Sequence, residues 1–529
     1  MSSVFSKVGG AHPRRNKFNL SFSVQTTADM GILYPAGMPQ MLVPGDSIKV
    51  GHEVVAQMQS LKSPMFADIS IYFYDFFVPF RLLWDEWETF ITRGKSGDET
   101  PPLPKFTQAR NRSFRDCTGL WSLWDYFGFP VSAANQTGDI PYDDRPLDFP
   151  WRAYWFIWNE YFRDENLMSP VNYKSNNMMD PDAFSNRTSP ANVCWGRDYF
   201  TSALPFQQRG TPVAIPVVSS GISANFAAGG QDDVAWHSVM NDSEFSALYV
   251  PTSKNVNERN SLLSNHLQIK DISSADVSEL RFMFQVQKFM ERSARAGNRY
   301  TEFLRANFGV SPRDERLQRP EFIGGTRSPI LIQQVLQTSQ TSGETTPMAT
   351  KYGQGMTADS NYSGKYYATE YGIYMPLFVI RPKTSYCQGI NRQWIKDTSY
   401  DFFNPLFQNL SEQEVFEEEI YASGVSHNTS NTGNRDIFGF QGRYNEMRHN
   451  QNMVTSLMRG NKTYSYWNLS RWFDSAPKLN SSFLECNPSK RGFIVTDDSM
   501  PGFILHIGHK IKALRPLVYM AEPGLIDHH

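Results

Sequence analysis

Residues 69–92, ISIYFYDFFVPFRLLWDEWETFIT, decide the fold. Ile69, Ile71 and Phe73 alternate with Tyr72, Tyr74 and Phe76, and a period of two with apolar or aromatic groups in both phases marks a strand covered on both faces. Pro79 ends that strand. Beyond it Leu82, Leu83, Trp84, Trp87 and Phe90 recur at helical spacing with Asp85, Glu86 and Glu88 between them, which predicts a short amphipathic helix. Further strand-like runs occupy 18–25, 47–58, 371–380 and 503–515, each alternating or apolar and bounded by Pro, Gly or Asp. In the last of these Phe503, Leu505, Ile507, Ile511 and Ala513 share one face.

Short strands at both ends of the chain, with little parallel βαβ rhythm between them, favour a mainly β fold whose first and last strands are neighbours. An eight-stranded antiparallel jelly roll is the natural candidate. Such a barrel needs far fewer than 529 residues, so most of the chain is expected in long, helix-containing loop insertions. The organisation expected is a single domain over 1–529. It comprises a basic arm (1–28), insertions at 80–200, 212–272 and 382–500, and a last strand and tail (501–529).

The first insertion is aromatic. In residues 150–166, Trp151, Tyr154, Trp155, Trp158, Tyr161 and Phe162 keep one helical stripe, which suits a ligand-stacking groove or, preferably, a buried packing surface. The second insertion is rich in Ser, Asn, Ala and Gly, with Phe226, Trp236, Phe245, Tyr249 and Lys254 scattered through it. A helix follows, capped at Ser274 or Asp276 and running through Leu280, Phe284, Val286, Phe289 and Met290; apolar side chains on more than one side predict its burial. The third insertion pairs an acidic segment (411–421) with a basic one holding Arg435, Arg443, Arg448, Arg459 and Lys462.

Composition narrows the function. A 40% hydrophobic chain of this length buries a large core, and an aromatic content of 14% suits extensive subunit interfaces, sugar-binding surfaces or one large aromatic core. A net charge of −2 argues against a surface that binds polyanions everywhere, so contact with nucleic acid is expected to be local. No 18-residue apolar run or export signal is present, so no membrane insertion is expected. Cys117, Cys194, Cys387 and Cys486 lie far apart, as free thiols do in a reducing compartment.

Little in the chain suggests catalysis. His506 and His509 are three apart on a strand and so point to opposite faces, where they cannot jointly grip a metal. There is no phosphate-cradling loop, serine elbow or zincin motif, and no cofactor or metal is expected. The clearest electrostatic feature is the amino-terminal arm. No acidic residue precedes Asp29, while Lys7, Arg14, Arg15 and Lys17 stand near Phe5 and Phe18. Cations interleaved with rings suit single-stranded nucleic acid, and an arm of this kind also suits packing on a neighbouring subunit.

The run VPFRLLWDEWETFIT (78–92) resembles the strand-to-helix signature of major capsid proteins of the Microviridae, small single-stranded DNA bacteriophages, and within them the gokushovirus branch. Residues 280–310, LQRPEFIGG (317–325) and the close, RP followed by EPGLIDH (515–528), agree in family order. The resemblance implies an icosahedral homo-oligomer of about sixty copies, the order of that rotation group, in the virion and assembled in the bacterial cytoplasm. The shell would enclose a circular single-stranded DNA genome. The partners implied are an internal scaffolding protein, a DNA pilot protein, a small basic DNA-binding protein and a bacterial surface receptor. Residues 212–272 would build the host-facing protrusion. Arg81, Trp84, Trp87, Arg515 and Pro516 would form a signature of subunit contact or packing. A carbohydrate-binding or carbohydrate-active jelly-roll protein is the alternative that the aromatic content keeps open.

Overall fold

A computed structural model describes residues 14–105, 119–130, 146–174, 187–210, 277–296, 299–311, 313–336, 350–422, 436–497 and 500–520. The chain divides into two units, Met1–Gln207 with Ser293–His529, and Gln208–Arg292.

In the larger unit ten strands make one curled antiparallel sheet. β1 (Asn16–Asn19) and β2 (Phe22–Ala28) lie end to end along β12 (Phe503–Arg515), β1 against residues 512–515 and β2 against 503–509. β3 (Leu33–Pro35) and β4 (Gln40–Leu42) lie end to end along β9 (Gly372–Pro382) in the same way. Ten strands therefore fill eight positions. Four of them, β1/β2, β12, β5 (Ser47–Met58) and β8 (Lys351–Tyr367), form one half. The other half is β3/β4, β9, β6 (Ile69–Pro79) and β7 (Glu321–Leu336). The halves join where residues 331–336 of β7 pair with residues 351–356 of β8. First strand beside last, with both halves antiparallel, is the jelly-roll order.

Alternation fills the space between the halves. Val54, Ala56, Leu505 and Ile507 from one half meet Ile71, Phe73, Phe378 and Ile380 from the other, all buried. Each of these side chains larger than alanine contributes about 1.5–3 kcal/mol relative to exposure. β6 is buried on both faces because a second core lies outside it: Phe76 and Val78 pack with Leu83, Trp84, Tyr154 and Trp155. β12 differs. Its residues alternate buried and exposed along Phe503–Ala513, which leaves the outer face of β1/β2–β12–β5–β8 open in the single chain.

The insertion after β6 supplies the covering layer. The predicted helix over 82–90 divides into α1 (Phe80–Leu83) and α2 (Trp87–Thr92), since Trp84 is extended and buries its ring. After α3 (Leu123–Tyr126), the aromatic stripe forms α4 (Phe149–Ile157) and a π-helical turn, Trp158–Phe162. Trp151, Tyr154, Trp155 and Trp158 are buried there, so the stripe is a packing surface. Beyond α5 (Val277–Ala296), α6 (Tyr300–Phe308) ends on Gly309 at φ +69°, and α7 (Ser481–Leu484) is a single turn.

In the smaller unit the described residues belong mainly to α5 (Val277–Ala296), where Gln287 donates to Gln208 and to Glu291. The sequence predicts burial of this helix, and that expectation is corrected: Phe282, Phe284 and Phe289 are half or more exposed in the single chain. Phe282, Val286, Phe289 and Met290 keep i, i+4, i+7, i+8 spacing along one side of the helix, while Gln287 and Lys288 stand at the i+3 and i+4 neighbours of Phe284. The capping candidates Ser274 and Asp276, and Phe226, Trp236, Phe245, Tyr249 and Lys254, lie outside the described residues.

Candidate nucleic-acid interface

The open sheet face carries several accessible cations. β1 enters it at Lys17, opposite Leu514 of β12, and strand alternation turns Lys17 outward while Phe18 faces the other way. Phe18 stacks there on Tyr519, with ring centroids 6.1 Å apart. Arg14 is exposed. Arg15 donates to the Tyr367 hydroxyl at 3.0 Å and lies 5.4 Å from the centre of that ring. Lys7 is outside the described residues. Of the five arm residues singled out from sequence, Arg14, Arg15 and Lys17 are therefore solvent-accessible at this edge, and Phe18 belongs to the opposite side.

Register adds residues that sequence reading missed. Lys512 of β12 stands opposite Lys49 of β5, which stands opposite Lys365 of β8, and all three are exposed. One row further along β12, Lys510 is directly opposite Gly51, whose other neighbour is Tyr362. Lys510 pairs with Glu53, whose carboxyl is held below its usual range by the Lys510 and Ser360 hydrogen bonds. His506 shares this outer face, while His509 points into the barrel, as their spacing predicts. The lysines are 316 and 147 positions apart in sequence, so only strand pairing reveals their row.

The signature residues make contacts within the chain. Arg81 holds Glu370 through two hydrogen bonds, 3.0 and 2.9 Å, and also donates to Gln318. Trp84, 3% exposed, packs on Phe90 and Phe149, and Trp87 packs on Phe80 and Tyr371. Arg515 binds Asp46 at 2.9 Å, and the half-buried Pro516 follows it.

In the 382–500 excursion the acidic run is no solvated face. Glu412, Glu418 and Glu419 are buried on and after β10 (Glu412–Phe416), which pairs with β11 (Ile437–Gly442). Glu412 meets Arg295; Glu419 meets Arg392 at 3.2 Å and accepts from the Tyr199 hydroxyl at 3.0 Å. Burial drives the Glu419 carboxyl up to about 7. Arg448, Arg459 and Lys462 are exposed, Arg443 stacks over Tyr444, and Arg435 is outside the described residues. Among the described residues no three His, Cys, Asp or Glu side chains converge to hold a metal ion, and no helix is long and apolar enough to cross a membrane. Cys194, Cys387 and Cys486 are free thiols.

A jelly roll with elaborated loops and one open, lysine-bearing face is an architecture that viral coat proteins share with lectins and cupins. Residues 6–525 match the family described as capsid protein (F protein), and the chain belongs to that family. It is 30% identical to capsid protein VP1 of Bdellovibrio phage phiMH2K, over 98% of this chain and 97% of the relative. It is also 29% identical to capsid protein VP1 of Chlamydia phage 1, over 99% and 98%, and 28% identical to that of Spiroplasma virus 4, over 98% and 97%. These are gokushovirus-type microviruses. Membership makes the chain a major capsid protein, a component of the virion that self-assembles into a shell.

Proposed function

We propose that this coat protein closes into an icosahedral shell of about sixty copies around a circular single-stranded DNA genome, with the arm directed at the DNA. The supporting observation is the edge where Arg14, Arg15 and Lys17 stand accessible beside the open sheet face. Guanidinium and ammonium groups there meet phosphates at modest cost, because they are already solvated. The role is assembly, not catalysis: Glu412, Glu419 and Glu446 of the 382–500 excursion are engaged by Arg295, Arg392 and Lys396. Residues 212–272 form the host-facing protrusion in this reading. An internal scaffolding protein, a DNA pilot protein, a small basic DNA-binding protein and a bacterial surface receptor complete its partners, and assembly takes place in the host cytoplasm.

The test is production of the protein with its phage partners, followed by sedimentation and an assay for nuclease-protected DNA. Uniform shells protecting single-stranded DNA are expected, and deletion of residues 2–17 should lower the DNA retained per particle. Normal genome content in the deletion shells would sink the role given to the arm.

A further inference from the structure

We propose that Lys512, Lys49 and Lys365 form a seat for consecutive phosphates of single-stranded nucleic acid running across strands β12, β5 and β8, with Tyr367 and Tyr362 as stacking platforms on either side. This deepens, and rests on, the reading that the chain encloses single-stranded DNA.

The row itself is the reason. Lys512, Lys49 and Lys365 are direct cross-strand partners. Strands lie about 4.8 Å apart, so three ammonium stems leave the same face within about 10 Å. Like charges placed directly opposite destabilise a sheet. The acidic side chain on this face near the row is Glu53, two alternations along β5, and it is held by Lys510 and Ser360. The row thus has no counter-ion within its own sheet. Arrangements that break a local stability rule belong at functional sites, and a bound polyanion supplies the charge that the sheet omits.

The flanking residues select the kind of polyanion. Tyr367 lies on one side of the row, opposite Ser47 of β5, and Tyr362 lies on the other, opposite Gly51. Tyr362 is 65% exposed and Tyr367 47%. Gly51 places no side chain between Tyr362 and Lys510. Unpaired bases stack on such rings whatever their identity, whereas an acidic polypeptide gains little from them. Arg15 and Lys17 lengthen the cationic track past Tyr367 toward the arm.

The experiment uses the full-length chain and an oligothymidylate, with affinity measured across a salt series. In Lys49→Gln/Lys365→Gln/Lys512→Gln, affinity should fall and the slope of log K against log salt should become shallower by about 2, since each phosphate contributes ~0.7 on a single strand. The same variant should melt at a higher temperature than the parent, because the repulsion is gone; this separates loss of binding from loss of fold. Tyr362→Ala/Tyr367→Ala should weaken binding without changing the slope, and Lys95→Gln should change neither. An unchanged slope in the triple lysine variant would overturn the seat. Polyglutamate bound as tightly as the oligothymidylate, with both indifferent to the tyrosine variant, would overturn the nucleic-acid assignment in favour of an acidic protein segment. A parent chain that binds no oligothymidylate at all would remove the underlying single-stranded DNA reading instead.

Discussion

His52 and His509 face each other inside the barrel, Nδ1 to Nδ1 at 3.1 Å. His509 Nε2 lies 2.6 Å from the Ala36 carbonyl, which only accepts, so Nε2 carries a proton. Burial, reinforced by the His52 imidazole, pushes His509 down to about 4 and keeps it neutral, which makes its Nδ1 the acceptor of a proton on His52 Nδ1. His52 Nε2 meets Asp75 Oδ2 at 2.8 Å, and that contact needs a proton as well. Asp75 also accepts from Ser363 and from the Tyr374 hydroxyl at 2.5 Å. Burial pushes this carboxyl up, but His52 and the two hydroxyls together bring it below its usual range. His52 thus bridges His509 and a carboxyl that also accepts from two hydroxyls inside the barrel.

Acid stability follows from His509. Its folded-state value lies below the ordinary 6.5, so the unfolded chain binds more protons between those limits. The stabilisation is present above pH 6.5 and is lost as pH falls toward about 4, amounting to ~3 kcal/mol across the window. His509→Gln retains a donor for Ala36 and an acceptor for His52 but does not titrate. Urea denaturation between pH 7 and pH 4.5 should show a flatter decline for the variant than for the parent. Parallel declines would exclude His509 as the titrating group.

Asp148 and Arg152 predict an asymmetry. They form a buried pair, Nε to Oδ2 at 2.9 Å, and Arg152 also donates to the Leu83 carbonyl at 3.1 Å. Burial already lifts the Asp148 carboxyl to about 6. Removing the arginine lets the acid neutralise itself by taking a proton; removing the acid strands a guanidinium that cannot lose one. Because the carboxyl is already lifted to about 6, the parent loses stability as pH rises through that value, so the cost of Asp148→Asn should shrink from pH 5 to pH 8; Arg152→Met should cost about 1–3 kcal/mol. The Arg152→Met loss should grow as pH rises, because the raised carboxyl is stable only when protonated. Thermal denaturation at pH 5 and pH 8 checks both; equal costs at both pH values would refute the asymmetry.

Hydrophobic periodicity made parts of the barrel legible and left others silent. β5 and β12 carry one buried phase each, and their expected limits, 47–58 and 503–515, coincide with the strands. The run over 18–25 is instead broken between β1 and β2, where Leu20 N–H donates to the Ile511 carbonyl and Ser21 Oγ accepts from Ile511 N–H. β7 and β8 went unread. In β8 glycines occupy crowded inward positions: a Cβ on Gly364 would stand 2.7 Å from the Ile323 carbonyl oxygen. A strand that needs the absence of side chains leaves no apolar period. The lysine row was hidden for another reason, because it exists only through pairing between strands from opposite ends of the chain.

Arg515 separates internal packing from subunit contact. Asp46 is fully buried; its Oδ2 accepts from Val43 N–H at 3.0 Å and from Arg515 Nε at 2.9 Å, while a terminal nitrogen of Arg515 reaches the Met41 carbonyl at 2.7 Å. One planar guanidinium thus ties the end of β12 to the turn before β5, a geometry that a lysine ammonium cannot span at both points. Arg515→Ala leaves a buried carboxylate without its cation and should cost about 3–5 kcal/mol in the unassembled subunit, with Arg515→Lys intermediate. Arg515→Ala/Asp46→Asn should recover part of the loss, since the stranded charge is gone. Denaturation of the isolated chain decides the matter. A variant as stable as the parent that nevertheless fails to form shells would move Arg515 from the interior of the subunit to its boundary.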